Sequence, residues 1–212
     1  MLDLKTFEGK LWKEPIATSK QINKFQEDMI SIREQFENTY PEKVYLIDSF
    51  PTPMRYPASE ILEIYYDHNQ EGPISDKHYL QHEERFIEVI KRLWAMSPVL
   101  IQTNLHTLLD FVGTPIEELQ KNLTTLESNL LNEIIKKTKP AQDNIITFDE
   151  FKEIKLITQM SLREKISSCF VFPDIKVIIW ANSLTLKSYV VEKSNKDLLQ
   201  TICTTHGLYL RK

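Results

Sequence analysis

CFVFPDIKVIIWANSLTLKSYVV, residues 169–191, decides the class of fold. Cys169 to Phe172, Ile175 to Trp180 and Leu184 to Val191 are short runs rich in β-branched and aromatic residues. Pro173-Asp174 separates the first from the second, and Ala181-Asn182-Ser183 the second from the third. Runs of this kind between turn-forming residues predict strands, the last two joined as a tight hairpin. Ser194 then reads as the cap of a helix carrying Leu198, Leu199, Ile202 and Cys203. Gly207 ends that helix, and Leu208-Tyr209-Leu210 returns as a short strand.

Working outward, the texture is helical. Asp76 to Ala95 places Tyr79, Phe86, Ile90, Leu93 and Trp94 on one face. Ser97-Pro98 predicts the start of a second helix with the stripe Ile101, Leu105, Leu108, Leu109 and Val112, closed by Gly113. Thr114-Pro115-Ile116-Glu117 combines a cap hydroxyl, proline at the first helical position and glutamate three residues after the cap. It predicts a long helix to about Lys137. Thr147-Phe148-Asp149-Glu150 and Ser161-Leu162-Arg163-Glu164 have the same capping-box spacing. They predict a helix to about Met160 and a short one to about Ser168.

Toward the N-terminus, Thr18-Ser19-Lys20-Gln21 is the glutamine form of the box. It precedes a helix from Ser19 to Asn38 with Ile22, Phe25, Met29, Ile32 and Phe36 in one stripe. Lys43 to Phe50 reads as a strand, and the prolines at 51, 53 and 57 make the next segment a stiff loop. Leu62, Ile64 and Tyr66 alternate, which favours strand over helix for Glu60 to Asp67.

The fold class is therefore α+β: a helix-rich centre with a short N-terminal strand unit and a C-terminal β-hairpin plus helix. The segments are an N-terminal helix and strand unit (1–75), a helical centre (76–139) and an α+β C-terminal unit (145–212). They are read as separate units or as one continuous domain, with the polar stretch Lys139–Asn144 as the boundary between the last two.

Composition narrows the function. The 212 residues are 42% hydrophobic and 26% charged, as in ordinary globular proteins, and are long enough to bury a core. A formal charge of −4 argues against general nucleic-acid binding. No apolar run reaches the roughly 20 residues of a membrane span, and the first residues lack a basic segment followed by an apolar one, so no membrane and no export are expected. Cys169 and Cys203 lie in apolar patterns without a CxxC pair, which predicts buried thiols and a cytoplasmic protein. The four glycines, Gly9, Gly72, Gly113 and Gly207, are isolated from one another. Phosphate-cradling loops built on clustered glycines are absent, so no cofactor is predicted.

Chemistry-bearing candidates are few. His78 and His82 are four apart on a helix and share a face, as two metal ligands would, with Glu83, Asp67 or His68 to complete a site. Tyr79 occupies the place of the general-base glutamate of an HExxH motif, and a hydrogen-bonded histidine on the apolar stripe is the competing reading. The loop after the first strand offers Asp48, Arg55 and Tyr56; arginine and tyrosine are favoured interface anchors. Apolar surroundings raise a thiol pKa, and no serine lies in a GxSxG elbow, so catalytic residues are not assigned and the reading leans away from an enzyme. Ile116, Leu119, Leu123, Leu126 and Leu130 keep heptad spacing, suited to packing within the chain or to a homo-oligomer through the 115–137 helix. The sequence thus favours a cytoplasmic non-catalytic module that binds another protein or regulates it, with a toxin-neutralising immunity-type protein as one form. The alternatives are a metal-dependent enzyme centred on His78 and His82, and a helical scaffold.

Overall fold

Residues 168–190 form the middle of an antiparallel sheet in the computed structural model, which describes residues 29–55, 57, 64, 66–67, 72–138 and 145–212. In chain order the elements are α1 (Met29–Thr39), β1 (Val44–Asp48), α2 (Lys77–Trp94), β2 (Leu100–Thr103), α3 (Leu105–Thr107), α4 (Ile116–Gln120), α5 (Thr125–Thr138), β3 (Ile145–Ile146), α6 (Phe151–Leu162), β4 (Ser168–Phe172), β5 (Val177–Ala181), β6 (Leu186–Val190), α7 (Lys193–Thr205) and β7 (Tyr209–Arg211). A π-helical turn, Leu108–Val112, extends α3. Among the described residues the seven strands make one sheet in the order β3-β2-β4-β5-β6-β1-β7, every neighbouring pair antiparallel. Each of the three sequence segments contributes strands to it, so the mixed α+β class read from the sequence is the class observed.

The continuous apolar texture of β4 and β5 has a direct cause: both faces of the sheet are covered. Successive strand residues point to opposite faces. Phe170 and Phe172 join Ile101, Val177, Ile179 and Leu186 in the larger core, whereas Cys169 and Val171 join Ile178, Trp180 and Tyr189 in a second one. Phe36 of α1 fills the second core, edge-on to Tyr189 with ring centroids 4.5 Å apart. The larger core is roofed by α2, α5, α6 and α7. Helix α6 lies deepest, buried on every residue from Leu156 to Leu162. Its polar residues fit that position because Thr158 and Ser161 donate to the carbonyls of Ile154 and Ile157 at 2.8 Å, keeping their hydroxyls satisfied. Among the described residues no helix is long and apolar enough to cross a membrane.

Several sequence expectations are corrected. The helix expected from Ser97-Pro98 is strand β2 at its start: Ile101 pairs with Phe170 and Ile146, and the chain turns helical only at Leu105. Pairing on both sides satisfies the backbone of this apolar stretch, overriding its helical spacing. Asn104 closes the strand, its side chain accepting from Ser167 N at 2.8 Å and its own N–H donating to Ser167 O at 3.1 Å.

The long helix expected from Thr114 is two helices. Asn122 breaks it in a left-handed conformation (φ 74°), which asparagine tolerates better than most residues. Thr114 is not the cap. The working box is Thr124-Thr125-Leu126-Glu127: Thr124 Oγ1 accepts from Glu127 N at 3.2 Å, and Glu127 Oε2 accepts from Thr124 N at 2.7 Å. The heptad seam is interrupted with it: Leu119 and Leu123 pack in the chain's own core, the intrachain alternative for this stripe, while Leu126 is 82% exposed.

Thr147 and Ser161 do not start helices either. Helix α6 begins at Phe151 after Glu150, which makes no side-chain cap, and Ser161 lies in its last turn. No short helix leads from it to Ser168. Ser194 likewise falls inside α7, which starts at Lys193. By contrast, Asp76 caps α2 through bonds from His78 N and Tyr79 N, and Gly113 and Gly207 take the positive φ values of 75° and 71° expected of helix ends. The Thr18 box and residues 139–144 lie outside the described residues, as does most of 60–67; Ile64, Tyr66 and Asp67, which are described, form no strand.

The helical layer closes on one buried ion pair. Arg163, just past α6, donates from Nε and Nη2 to Glu83 of α2 at 2.6 and 2.8 Å. The two side chains are 4% and 2% exposed. Asn122 O accepts from Arg163 Nη1 at 3.5 Å, and Asn122 Nδ2 donates to Tyr66 at 2.6 Å, so the break between α4 and α5 belongs to the same network. Removing one partner from such a pair strands a buried charge, whereas replacing both by apolar residues need not. Glu83→Gln should lower unfolding free energy by about 3–5 kcal/mol in urea titration, and Glu83→Leu with Arg163→Met should recover most of the loss. Equal losses in both variants would show that the charges themselves are needed. In the same assay Thr124→Ala should lose about 1 kcal/mol, while Thr114→Ala and Thr147→Ala stay within about 0.5 kcal/mol of the parent.

Candidate functional site

Strand β1 leaves the sheet at Asp48 and enters the loop marked by prolines 51, 53 and 57. Asp48 lies opposite Tyr209 in the β1–β7 register and is only 8% exposed. Its Oδ2 accepts from Arg211 Nε at 3.0 Å and from Arg211 Nη2 in a short ion pair. Its Oδ1 accepts from Phe50 N at 3.2 Å, the pattern by which an aspartate fixes the backbone two residues on. Ser49 is tied in turn to α2, its Oγ 3.1 Å from His82 Nδ1. The loop therefore leaves a stem held at two consecutive residues. Beyond the stem Pro51, Thr52, Pro53 and Arg55 are exposed and Met54 is half-buried.

Behind the loop lies a cleft of about 450 Å³. Asp48, Ser49, Phe50, Thr52, Pro53 and Met54 form one wall. The β5–β6 turn supplies Ser183, Leu184 and Thr185, α2 supplies His82, and β7 supplies Arg211. Ile64, Tyr66, Leu162 and Glu164 complete it. Tyr66 and Leu162 connect the cleft to the buried network. Tyr79, whose ring centroid is 5.6 Å from that of Tyr66, donates its hydroxyl to Leu162 O at 3.3 Å. Burial holds the phenols of Tyr66 and Tyr79 above their ordinary pKa, so both are neutral hydrogen-bonding groups at neutral pH. Burial opposes the charge of Arg163, but the hydrogen bond and charge of Glu83 outweigh it and raise its pKa.

His82, like Tyr66, is a titratable group of the cleft with a perturbed proton affinity. Burial lowers the His82 pKa first, and the positive charges of Arg85 and His78 lower it further. A neutral imidazole offers one ring nitrogen as acceptor and the other as donor. The cleft thus combines an anchored ion pair, hydroxyls from Ser49, Thr52, Ser183 and Thr185, an imidazole, and apolar surface, a mixture suited to orienting a bound group.

The sequence candidates fall in different places. Asp48 is at the base of the loop, committed to Arg211 rather than displayed. Arg55 is displayed. Tyr56 lies outside the described residues. His78 is exposed on the first turn of α2, one turn from His82, whose Nδ1 faces Ser49. Among the described residues no three His, Cys, Asp or Glu side chains come together as a metal-binding group. Cys169 and Cys203 are free and buried; burial raises both pKa values, that of Cys203 up to about 12, so neither thiol is ionised at neutral pH. Ser49, Arg211 and the Ser183–Thr185 turn join the site only in three dimensions. Adjacency to Asp48 is a usable signal for Ser49, but nothing local marks Arg211, which is 163 positions from its partner.

The shift of His82 has a measurable sign. An imidazole whose folded pKa lies below its unfolded value contributes stability that is complete above the unfolded value and is lost as pH falls through the folded one. In an NMR titration His82 should ionise below the ordinary value of about 6.5. Arg85→Gln should move the midpoint upward by removing a nearby cation. A midpoint at or above 6.5 in the parent protein would contradict the placement of His82 in a partly desolvated, cationic setting.

No protein-family model, curated protein or solved structure matches this chain, so its geometry and chemistry carry the functional reading.

Proposed function

We propose that this protein acts by binding another protein, and that the loop of residues 49–55, with the mouth of the cleft beside it, is the contact surface. The observation that supports this reading is the double anchorage of an exposed loop. Arg211 and the backbone of Phe50 hold Asp48, His82 holds Ser49, and prolines at 51 and 53 restrict the chain beyond. A surface ordered in advance loses less entropy when a partner arrives. Arg55 adds a planar cation able to grip a carboxylate with two hydrogen bonds. The net charge of −4 favours a partner of opposite overall charge through long-range steering. A regulatory or toxin-neutralising immunity-type role is a concrete form of the proposal, and two free buried thiols suit action in the reducing cytoplasm.

The rival readings have less support. Exposure of Leu126 and burial of Leu119 and Leu123 within the chain leave the oligomerising seam without a continuous face. The metal reading has two histidines, one of them engaged with Ser49, and among the described residues no third ligand beside them.

A photo-crosslinking amino acid substituted at Thr52 or Arg55 tests the proposal in cells of the source organism. Irradiation should give one discrete protein conjugate from the loop positions and none from Lys136, an exposed residue of α5 used as control. Arg55→Ala should reduce the conjugate formed from position 52 without changing the melting temperature. Equal crosslinking from loop and control, or no conjugate from the loop, would remove this surface from the function.

A further inference from the structure

The bond between Ser49 and His82 carries an inference that goes beyond protein binding. A serine hydroxyl is a weak nucleophile unless a base within hydrogen-bond reach takes its proton as it attacks. Ser49 Oγ and His82 Nδ1 are 3.1 Å apart, and both side chains line the cleft of about 450 Å³. We propose that Ser49 is an activated nucleophile with His82 as its general base, and that the cleft accepts the acyl group of an activated ester or thioester.

Three further observations fit this assignment. A general base must be unprotonated to work, and burial together with the charges of Arg85 and His78 favours the neutral ring. With the ring proton on Nε2, Nδ1 accepts from the serine hydroxyl, which aligns the proton for transfer. The cleft also has an apolar side, Phe50, Met54, Leu162 and Leu184, able to take a short acyl chain. Finally, Arg211 grips Asp48 through Nε and Nη2, and among the described residues Nη1 has no partner. Arg211 lines the same cleft as Ser49, so it brings an N–H donor to the cleft beside the nucleophile.

The chemistry balances without a cofactor. Oγ attacks the acyl carbon while its proton passes to Nδ1, forming a tetrahedral oxyanion. Collapse breaks the bond from carbon to the leaving oxygen or sulfur, and the proton on His82 passes to that leaving group. The product is an ester of Ser49. Water then attacks the acyl carbon while His82 accepts its proton. As the bond from the acyl carbon to Oγ breaks, that proton passes to Oγ, releasing the carboxylic acid and restoring Ser49 and the neutral imidazole. Neither step changes an oxidation state.

A fluorophosphonate probe tests the nucleophile directly, because Oγ attacks phosphorus, fluoride leaves, and the adduct is stable to mass analysis. The folded protein should gain one phosphonyl group per chain, mapped to Ser49. Ser49→Ala should abolish labelling, and His82→Gln should slow it at least tenfold. Ser194→Ala, at an exposed serine of α7 outside the cleft, should leave it unchanged. Absence of an adduct on the folded parent protein would overturn the proposal whatever the variants do. So would labelling of Ser49 at the same rate in His82→Gln, or at the same rate in urea-unfolded protein. The loop-crosslinking result is independent of these outcomes, so either idea can fail alone.

Discussion

A buried arginine must have a partner, and this fold is arranged around giving it one. Isolated in the interior, the guanidinium of Arg163 would lose several kcal/mol of hydration. Glu83 meets it with both carboxylate oxygens, at 2.6 and 2.8 Å, and the fork geometry leaves little freedom in how the two elements approach. That contact fixes α2 against the end of α6. It also explains why α4 and α5 separate: the backbone carbonyl of Asn122 turns toward Nη1, which a continuous helix would keep for its own ladder. Tyr66 and Tyr79, with ring centroids 5.6 Å apart, join the same network, Tyr66 by accepting from Asn122 and Tyr79 by donating to the carbonyl of Leu162, the residue before Arg163.

Elements whose local chemistry agrees with their tertiary setting are legible from sequence. Residues 169–191 read as strands because β-branched and aromatic residues fill them and turn residues divide them. The ends at Gly113 and Gly207 read correctly because positive φ is a local demand. The failures share another cause. Leu100 to Thr103 has apolar residues that also satisfy helical spacing, and only the presence of β3 and β4 on either side makes strand the better solution. The three capping boxes that fail, at Thr114, Thr147 and Ser161, have the right spacing, but spacing does not reveal where the chain must bend to reach a distant partner. Asn122 bends it, and the real box at Thr124 comes directly after the bend.

The candidate site is legible in part for the same reason. Proline content announces a stiff loop, and Asp48 and His82 stand out by type. Their bonds do not. Asp48 reads as a displayed carboxylate, yet its counter-ion arrives from the last strand through the β1–β7 pairing, a contact with no local trace. His82 reads as half of a metal pair with His78 because the two are four apart on one helix. Ser49, 33 positions earlier, is brought to it only by the course of β1 relative to α2.

Stability and chemistry meet in consecutive residues of α2. A helix rotates about 100° per residue, so neighbours in sequence face different directions. His82 turns to the cleft and Ser49, while Glu83 turns to the interior and Arg163. The buried pair holds that turn of helix in place, and the Asp76 cap fixes the helix start. Arg211 and Asp48 secure the opposite wall. The distance between Ser49 and His82 is thus set by two ion pairs that themselves take no part in it, one under the helix and one under the loop. Such placement on supported elements gives a hydroxyl–imidazole pair a defined geometry, which a loop serine facing an unsupported histidine would lack.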